Sequence, residues 1–199
     1  MTQPNSRERL LEVAEALFAK QGYLSTSVRE IVQGAGVQPP ALYYHFKNKE
    51  ALLVELLTTR FDEYCSSLNA LLAKAETPED VFNAFVEHAV AGLTERPNSI
   101  RFVFGVLYGP QHKIPVKLVR KLQFQYNELV LARLRELRPD LSRDRLIFVT
   151  TSFLGMTLSM TLHYLVLGNL DFPKDLGVCI AKRCAAMLDD EHPVPHFGA

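Results

Sequence analysis

The apolar residues of this chain recur every three or four positions over most of its length. No stretch alternates apolar and polar residues as a half-buried strand would. Capping residues, prolines and glycines divide the pattern into about nine helices. We therefore predict an all-α protein with an N-terminal three-helix domain at residues 1–50 and a larger helical domain at residues 51–199.

The start of the chain predicts two helices separated by a short connection. Ser6 is a candidate N-cap for the first helix, and Gly22 ends it. Thr26 or Ser27 can cap the second helix. Gly36 can adopt the left-handed conformation that terminates that second helix, so a tight turn is expected there.

The third helix opens on Pro39 and Pro40, where a missing N–H costs nothing. Leu42 and Phe46 are four residues apart and share a buried face. The side chains left to point outward are those of Ala41, Tyr43, Tyr44, His45 and Lys49. Two short helices joined at a glycine are typical of a helix-turn-helix DNA reader. Contacts to phosphates and base edges use these exposed residue types.

The stretch Val28–Leu52 resembles the DNA-binding domain of the TetR/AcrR family of bacterial transcriptional regulators. The matching residues are Ile31, Ala35-Gly36-Val37, Leu42-Tyr43-Tyr44-His45-Phe46, Lys49 and Leu52. The similarity covers about the first quarter of the chain, and the rest matches the family only in length and helical character. The resemblance implies a ligand-responsive regulator, by family habit a repressor, that binds double-stranded DNA at a near-palindromic operator as a homodimer.

The resemblance also implies roles for individual residues of the reader. It places phosphate contacts at Tyr43 and Lys49 and phosphate or base contacts at Tyr44 and His45, while Arg29 can reach a guanine. The residues predicted to bind DNA are Ser27, Arg29, Gln38, Pro39, Pro40, Ala41, Tyr43, Tyr44, His45 and Lys49.

Two positions of the reader depart from the family pattern. The family usually has Ser or Thr where Gln38 stands, and often Gly where Pro40 stands. Gln38 is a poor cap, and Pro40 lacks a backbone N–H that could hold a phosphate. Pro39, Pro40 and Ala41 make an apolar leading edge, which we expect to contact thymine methyl groups.

The charge balance excludes a general polyanion binder but allows a small DNA surface. The chain has 22 basic and 22 acidic residues, and residues 1–50 carry six basic and five acidic ones. One copy should therefore bind DNA weakly, whereas a dimer doubles the phosphate contacts. The three cysteines are odd in number and follow no metal-ligand spacing, which fits a reducing cytoplasm without a disulfide framework.

Asn48 is expected to cap a long helix that runs to about Ala75. No Gly-rich or Pro-rich linker separates the reader from this helix, so movement at its far end should move the reader. Further along, the helix Val116–Leu137 is basic, and its charges are most simply a solvated face. The last eight residues, HPVPHFGA, are expected to be frayed.

The stretch Leu146–Leu170 has no charged residue and is long enough to span a bilayer. Its many Thr and Ser residues favour a helix buried in a soluble assembly, so no membrane partner is predicted. At about 100° per residue one of its faces alternates small and large side chains, which lets another helix approach closely. With the last helix it supplies the predicted dimer interface: Phe148, Thr151, Gly155, Leu158, Ser159, Leu162, Val166, Ile180 and Cys184.

In the family the C-terminal helices enclose a ligand cavity. The residues predicted to line it are Phe61, Tyr64, Phe85, His88, Phe104, Tyr108, Phe124, Asn127, Phe153, Thr157, Met160 and Tyr164. Such a set suits a small, largely apolar effector, although the same aromatic residues would by default form core.

Enzyme motifs are missing from the sequence. It has no phosphate loop, no nucleophile elbow and no paired-histidine metal helix, so neither catalysis nor a cofactor or metal site is predicted. The alternative function is a helical small-molecule-binding or enzyme domain whose N-terminal helices are structural only. Repression and activation stay equally open from the residues alone.

Overall fold

The computed structural model describes residues 5–108, 116–168 and 175–197, which contain nine α-helices and no strand. The helices are α1 (Ser6–Gln21), α2 (Val28–Gly34), α3 (Pro39–His45), α4 (Lys49–Leu72), α5 (Pro78–Glu95), α6 (Pro97–Tyr108), α7 (Val116–Leu137), α8 (Arg143–Leu167) and α9 (Leu176–Ala186). The predicted all-α fold is confirmed.

The chain divides into two compact units. The first comprises Met1–Tyr64 and Leu93–Arg120, and the second comprises Cys65–Gly92 and Lys121–Ala199. Helices α1, α2 and α3 lie in the first unit, together with α6. The domain boundary predicted at residue 50 stays a prediction. Helix α4 is continuous from Lys49 to Leu72 and includes that position.

Helix α1 begins one residue earlier than its predicted cap implies. Asn5, not Ser6, is the N-cap: its side chain accepts the Glu8 N–H at 3.0 Å, and the Glu8 carboxylate accepts the Asn5 N–H at 3.0 Å. This reciprocal capping box satisfies two N–H groups that the helix itself cannot pair. Ser6 is the first helical residue, and its hydroxyl lies 2.7 Å from His45 Nε2.

In the first unit, α1 is the central helix. It packs more extensively on α6 than on α2 or α3, a neighbour that the sequence pattern does not reveal. The rings of Phe18 and Phe102 stack with centroids 5.9 Å apart. Leu10 and Ala14 are fully buried, so burial of one apolar face holds α1 in place.

In the second unit, three phenylalanines form the centre of the core. Phe153 of α8 lies with its ring centroid 4.5 Å from that of Phe82 and 5.1 Å from that of Phe85, both on α5. Helix α9 packs on α8 and approaches α5 so closely at Gly177 that an added Cβ would lie 2.4 Å from Val86 Cγ1. Glycine suits this position because the Val86 side chain occupies the space that a Cβ at residue 177 would need.

Among the described residues, α8 is the one helix long and apolar enough to cross a membrane by length and composition. Its Val149, Phe153 and Thr157 are nevertheless buried inside the second unit. The hydroxyls of Thr157 and Thr161 donate to carbonyls one turn back, at 3.1 and 3.0 Å, so they are satisfied within the helix. One face of α8 is therefore part of the core, while the larger part of the helix is not buried in the single chain. Asn169 and Leu170, the end of the predicted stretch, lie outside the described residues.

The C-terminal segment is docked rather than frayed, which corrects the expectation for residues 192–197. Arg145 Nη2 donates to the His192 carbonyl at 2.6 Å. Asp144 accepts the Phe197 N–H at 3.1 Å, and its other oxygen lies 2.7 Å from His196 Nδ1. The start of α8 therefore holds the segment through charged side chains; Gly198 and Ala199 lie outside the described residues.

Candidate nucleic-acid interface

The first reader helix, α2, starts with a capping box. Ser27 Oγ accepts the Glu30 N–H at 3.2 Å, and the Glu30 carboxylate accepts the Ser27 N–H at 2.7 Å. Gln21 also donates to this carboxylate at 3.1 Å. These hydrogen bonds, that of the Ser27 backbone first, lower the pKa of Glu30 to about 2. Ser27 and Arg29 are both exposed beside this box.

The turn between α2 and α3 has the conformation predicted for it. Gly36 has φ +63°, and the Val37 N–H donates to the Val32 carbonyl at 3.0 Å, which closes the end of α2. Below the turn, Ile31 and Leu42 are fully buried. The apolar residues therefore fix the angle between the two helices and leave the opposite face of α3 to solvent.

Helix α3 begins without a side-chain cap, as expected for Gln38. Pro39 and Pro40 occupy its first two positions and are exposed with Gln38, while Ala41 is half-buried. Proline at these positions pre-sets φ and removes N–H groups that would lack partners. The leading edge of the reader is thus apolar and rigid.

The outward face of α3 carries two uncovered tyrosines. Tyr43 is 57% exposed and Tyr44 is 85% exposed, and Lys47 just beyond the helix is also exposed. A short helix that leaves two aromatic rings in water places them where a partner can use both ring and hydroxyl. This surface is the candidate DNA interface.

His45 connects α3 to α1. Its Nε2 lies 2.7 Å from Ser6 Oγ, and its ring stands edge-on to Tyr44 with centroids 5.0 Å apart. The imidazole is half-buried. Its contact with Ser6 occupies one ring nitrogen, and its ring contact orients Tyr44.

Lys49 is engaged inside the domain. Its ammonium donates to the carbonyls of Tyr23 at 2.9 Å and Thr26 at 2.6 Å, and it lies 4.2 Å from the centroid of the Tyr23 ring. It thereby ties the start of α4 to the connection between α1 and α2. The sequence could not reveal this use, because the partners are backbone carbonyls more than twenty residues away.

A charged cluster that sequence reasoning missed holds α1 against α4 and α6. Glu15 on α1 is only 7% exposed. Arg60 on α4 donates to one of its oxygens from Nε at 2.9 Å, with Nη2 of the same guanidinium 2.8 Å away. Ser99 on α6 donates to the other oxygen. A buried carboxylate needs such partners. The apolar residues near Glu15 in the sequence do not indicate which residues those partners are.

The predicted effector residues are placed at very different depths. Phe61, Phe85, Phe153 and Thr157 are buried; Tyr64, His88, Phe104, Met160 and Tyr164 are half-buried; and Tyr108, Phe124 and Asn127 are exposed. Phe85 and Phe153 contact each other in the core of the second unit. His88 Nε2 lies 2.7 Å from Ser67 Oγ, and burial lowers the pKa of this imidazole. The buried members are well packed, and the set stays a prediction.

The predicted dimer face of α8 is largely uncovered in the single chain. Thr151, Gly155 and Ser159 are exposed and Val166 is 80% exposed. The remaining apolar members are half-buried: Phe148, Leu158, Leu162 and Ile180. Cys184 is the exception, because it is fully buried in the core of the second unit. Its predicted contact with a second copy is therefore corrected: it packs α9 onto its own unit.

Comparison with known proteins agrees with this geometry. Residues 10–56 match the family model of bacterial regulatory proteins, tetR family. The HTH-type transcriptional repressor KstR2 of Mycobacterium tuberculosis (strain ATCC 25618 / H37Rv) is 50% identical over 56 residues, which are 28% of this chain and 28% of that protein. The chain thus aligns with less than a third of KstR2, and the alignment is confined to one segment.

Two solved structures extend the likeness in fold to nearly the whole chain. A TetR-family transcriptional regulator from Bordetella parapertussis 12822 has a TM-score of 0.66 at 24% identity, over 94% of this chain and 95% of that one. The transcriptional regulator FadR from Bacillus subtilis, in complex with stearoyl-CoA, has a TM-score of 0.72 at 14% identity, over 91% and 96%.

A helix-turn-helix segment stands at the head of an all-α chain, and residues 10–56 are similar to the DNA-binding domain of tetR-family regulators. The resemblance to TetR/AcrR-type transcriptional regulators is confirmed for this segment.

Proposed function

We propose that this protein is a cytoplasmic transcriptional repressor that binds a near-palindromic operator as a homodimer and is released by a small, largely apolar effector. The observation that carries the proposal is the exposed pair Tyr43 and Tyr44 on α3, within a segment that matches the tetR-family model. Repression is favoured over activation because the similar protein KstR2 is a transcriptional repressor. Catalysis is not proposed, since the similar proteins are regulators.

On DNA, α3 lies in the major groove with Pro39, Pro40 and Ala41 leading. Tyr43 and Lys47 contact phosphates, and Tyr44 lies at the groove edge, held by its contact with His45. Lys49 contributes by fixing α4 to the reader. Because the reader is nearly neutral, a single copy binds weakly, and two copies about 34 Å apart or a multiple of that are needed.

The second copy docks through α8 and α9. The uncovered face of α8 combines small residues with Val166, so two such helices approach closely and bury apolar surface. A dimer of this kind satisfies both the need for two readers and the exposure of this face.

The effector binds among the helices that follow the reader. FadR of Bacillus subtilis, which shares the fold, holds stearoyl-CoA, and this supports an effector with a large apolar part. Helix α4 passes without a break from the reader into these helices, and Glu15 links α1 to α4 and α6. Effector binding changes the position of α4 and hence the spacing of the two readers, which lowers operator affinity.

Fluorescence anisotropy with the DNA upstream of the protein's own gene tests the reader. We expect Tyr44→Ala and Lys47→Ala each to weaken binding by about tenfold without lowering Tm. Lys47→Ala should also reduce the salt slope by about two for a dimer, because one phosphate contact is lost per subunit. Lys74→Ala, an exposed lysine on the turn after α4, is the matched control and should bind as the wild type does.

Lys49→Ala is a poor diagnostic, because loss of its bonds to Tyr23 and Thr26 lowers stability as well as DNA binding. No saturable binding to the upstream DNA at low salt would favour the alternative, a helical small-molecule-binding domain with structural N-terminal helices. A stable monomer at micromolar concentration in gel filtration would contradict the dimer.

A further inference from the structure

The first turn of α1 contacts the last residue of α3, although the two lie far apart in the chain. Ser6 Oγ is 2.7 Å from His45 Nε2, across a separation of 39 positions, and the contact is part-buried. Both residues belong to the first unit. Ser6 lies outside the two reader helices and is not among the residues expected to bind DNA. Its contact with a reader residue therefore suggests an indirect role.

Further contacts hold this first turn in place. Asn5 and Glu8 form the reciprocal capping box that fixes its backbone. The guanidinium of Arg7 is ion-paired with Glu55 on α4, and its central carbon lies 5.7 Å from the centroid of the Phe46 ring, directly after α3. The start of α1 is thus attached to the end of α3 and to α4, and the serine hydroxyl meets the imidazole at a defined position.

The partner of one imidazole nitrogen decides what the other nitrogen can do. A neutral imidazole has one N–H donor and one acceptor nitrogen, and the hydrogen bond at one determines the state of the other. Nδ1 of His45 makes no hydrogen bond with any residue that the structure describes. The Ser6 hydroxyl, which can donate or accept, is therefore the side chain that selects between the two tautomers.

Contact with DNA favours one of these tautomers. A phosphate oxygen only accepts hydrogen bonds, so a histidine that binds it must present an N–H. If Nε2 of His45 held the proton and donated it to Ser6, Nδ1 would present a lone pair to the phosphate. If the Ser6 hydroxyl donates to Nε2 instead, the proton is on Nδ1, which is then a donor. The hydroxyl can also accept from Nε2–H of a protonated ring, so the contact suits both charge states.

We propose that Ser6 is a positioning residue for DNA binding: its hydroxyl donates to Nε2 of His45 and keeps the proton on Nδ1, which donates to a DNA phosphate. This inference rests on the proposed function, because it specifies how the reader holds the DNA backbone. The same hydrogen bond fixes the imidazole edge-on to the Tyr44 ring, with centroids 5.0 Å apart, so it also restrains Tyr44. Ser6 acts through His45 and not by a contact of its own with DNA.

Nitrogen-15 NMR of the histidine rings tests the tautomer in the free full-length protein, at alkaline pH where the imidazole is neutral. Ser6→Ala removes the hydroxyl, Ser6→Thr keeps it, and His45→Gln identifies the signals of His45. We expect the proton on Nδ1 in the wild type and in Ser6→Thr. Ser6→Ala should lower the population of this tautomer. A wild type with the proton on Nε2 would overturn the inference.

Fluorescence anisotropy with the upstream DNA tests the effect on binding, at salt low enough for weakened variants to bind measurably. Ser6→Ala should weaken binding by about tenfold, since one hydrogen bond is affected in each of two subunits. Ser6→Thr should restore affinity to within about twofold of the wild type. Ser66→Ala, at an exposed serine of α4, is the matched control and should bind as the wild type does.

A double-mutant cycle separates a role through His45 from a general loss of structure. In the His45→Ala background, Ser6→Ala should weaken binding by less than about twofold, because the group it positions is gone. An equal loss in both backgrounds would mean that Ser6 acts without His45, and the inference would be wrong. Thermal unfolding of the same variants measures any change in stability separately from DNA affinity.

The outcomes distinguish this inference from the proposed function. If the wild type binds the upstream DNA and Ser6→Ala binds it equally well, the repressor proposal stands and the inference is overturned. If the wild type does not bind that DNA, the repressor proposal fails, and the phosphate contact of His45 fails with it. The NMR result would still show whether Ser6 sets the tautomer.

Discussion

The close approach of α9 to α5 makes Gly177 a sharp test of how the second unit is packed. A Cβ built at Gly177 would lie 2.4 Å from Val86 Cγ1 and 3.6 Å from Val86 Cβ. Carbon atoms in contact are normally about 3.5–4.0 Å apart, so alanine forces a shift of about 1 Å. Val86 is β-branched and has few alternative rotamers, which leaves movement of α9 as the main response.

The expected cost follows from two opposing effects. Overpacking of this kind costs about 1–3 kcal/mol. Alanine in place of glycine within a helix contributes up to about 1 kcal/mol in the other direction. We therefore expect Gly177→Ala to lower the free energy of unfolding by about 1 kcal/mol, with an upper bound of about 2 kcal/mol.

Urea unfolding followed by circular dichroism, at one fixed protein concentration, measures this change. The matched control is Gly105→Ala in α6, where an added Cβ meets nothing within 4 Å. The control should gain about 0.5–1 kcal/mol from helix propensity alone. Val86→Ala removes the clashing methyl groups, so the double variant should recover at least about 1 kcal/mol relative to additivity.

The opposite sign at the two glycines is the discriminating result. If Gly177→Ala is as stabilising as Gly105→Ala, or if the double variant is additive, then α9 does not approach α5 as the structure has it. That result would also refute the explanation that the absence of a side chain at Gly177 permits the contact between α9 and α5.

Three further predictions concern local chemistry. The pKa of Glu30 is lowered from 4.5 to about 2, so its capping-box contribution is full above pH 4.5 and is lost as pH falls towards 2; a side-chain carboxyl NMR titration should give a midpoint near 2, and one above 4 would contradict the box. Burial raises the pKa of Cys184 to about 11 while Cys179 is exposed, so iodoacetamide should label Cys179 first in the native protein, and equal rates would count against the core position of Cys184. Asp144→Asn should weaken docking of residues 192–197, seen as faster amide exchange at Phe197, and unchanged exchange would refute the role of this carboxylate.

The reader could be predicted because its signals are local. Gly36 marks the turn, Ser27 caps α2, and the spacing of Leu42 and Phe46 defines the buried face of α3, all from residues within a few positions of one another. The exposure of Tyr43 and Tyr44 follows from the same spacing. Short-range geometry is reliable here because a helix has a fixed repeat.

One error was local: the N-cap of α1 is Asn5 and not Ser6. The other differences arose where the partner is distant in the chain. The phosphate contact expected of Lys49 stays a prediction, but the sequence did not show that its ammonium donates to the carbonyls of residues 23 and 26. Cys184 shares a helix with plausible interface residues, yet it points into its own core.

The sequence by itself determined the number of helices, the turn of the reader and the residues that face outward on α3, since helix repeat, capping and proline or glycine geometry act over a few residues. Only the tertiary structure decided that α1 packs on α6, that Glu15 joins Arg60 and Ser99, and that the end of the chain docks on α8. Those contacts bring together residues 45 or more positions apart. Many chain paths could pair the same residue types, and the packing of the whole apolar surface selects one of them.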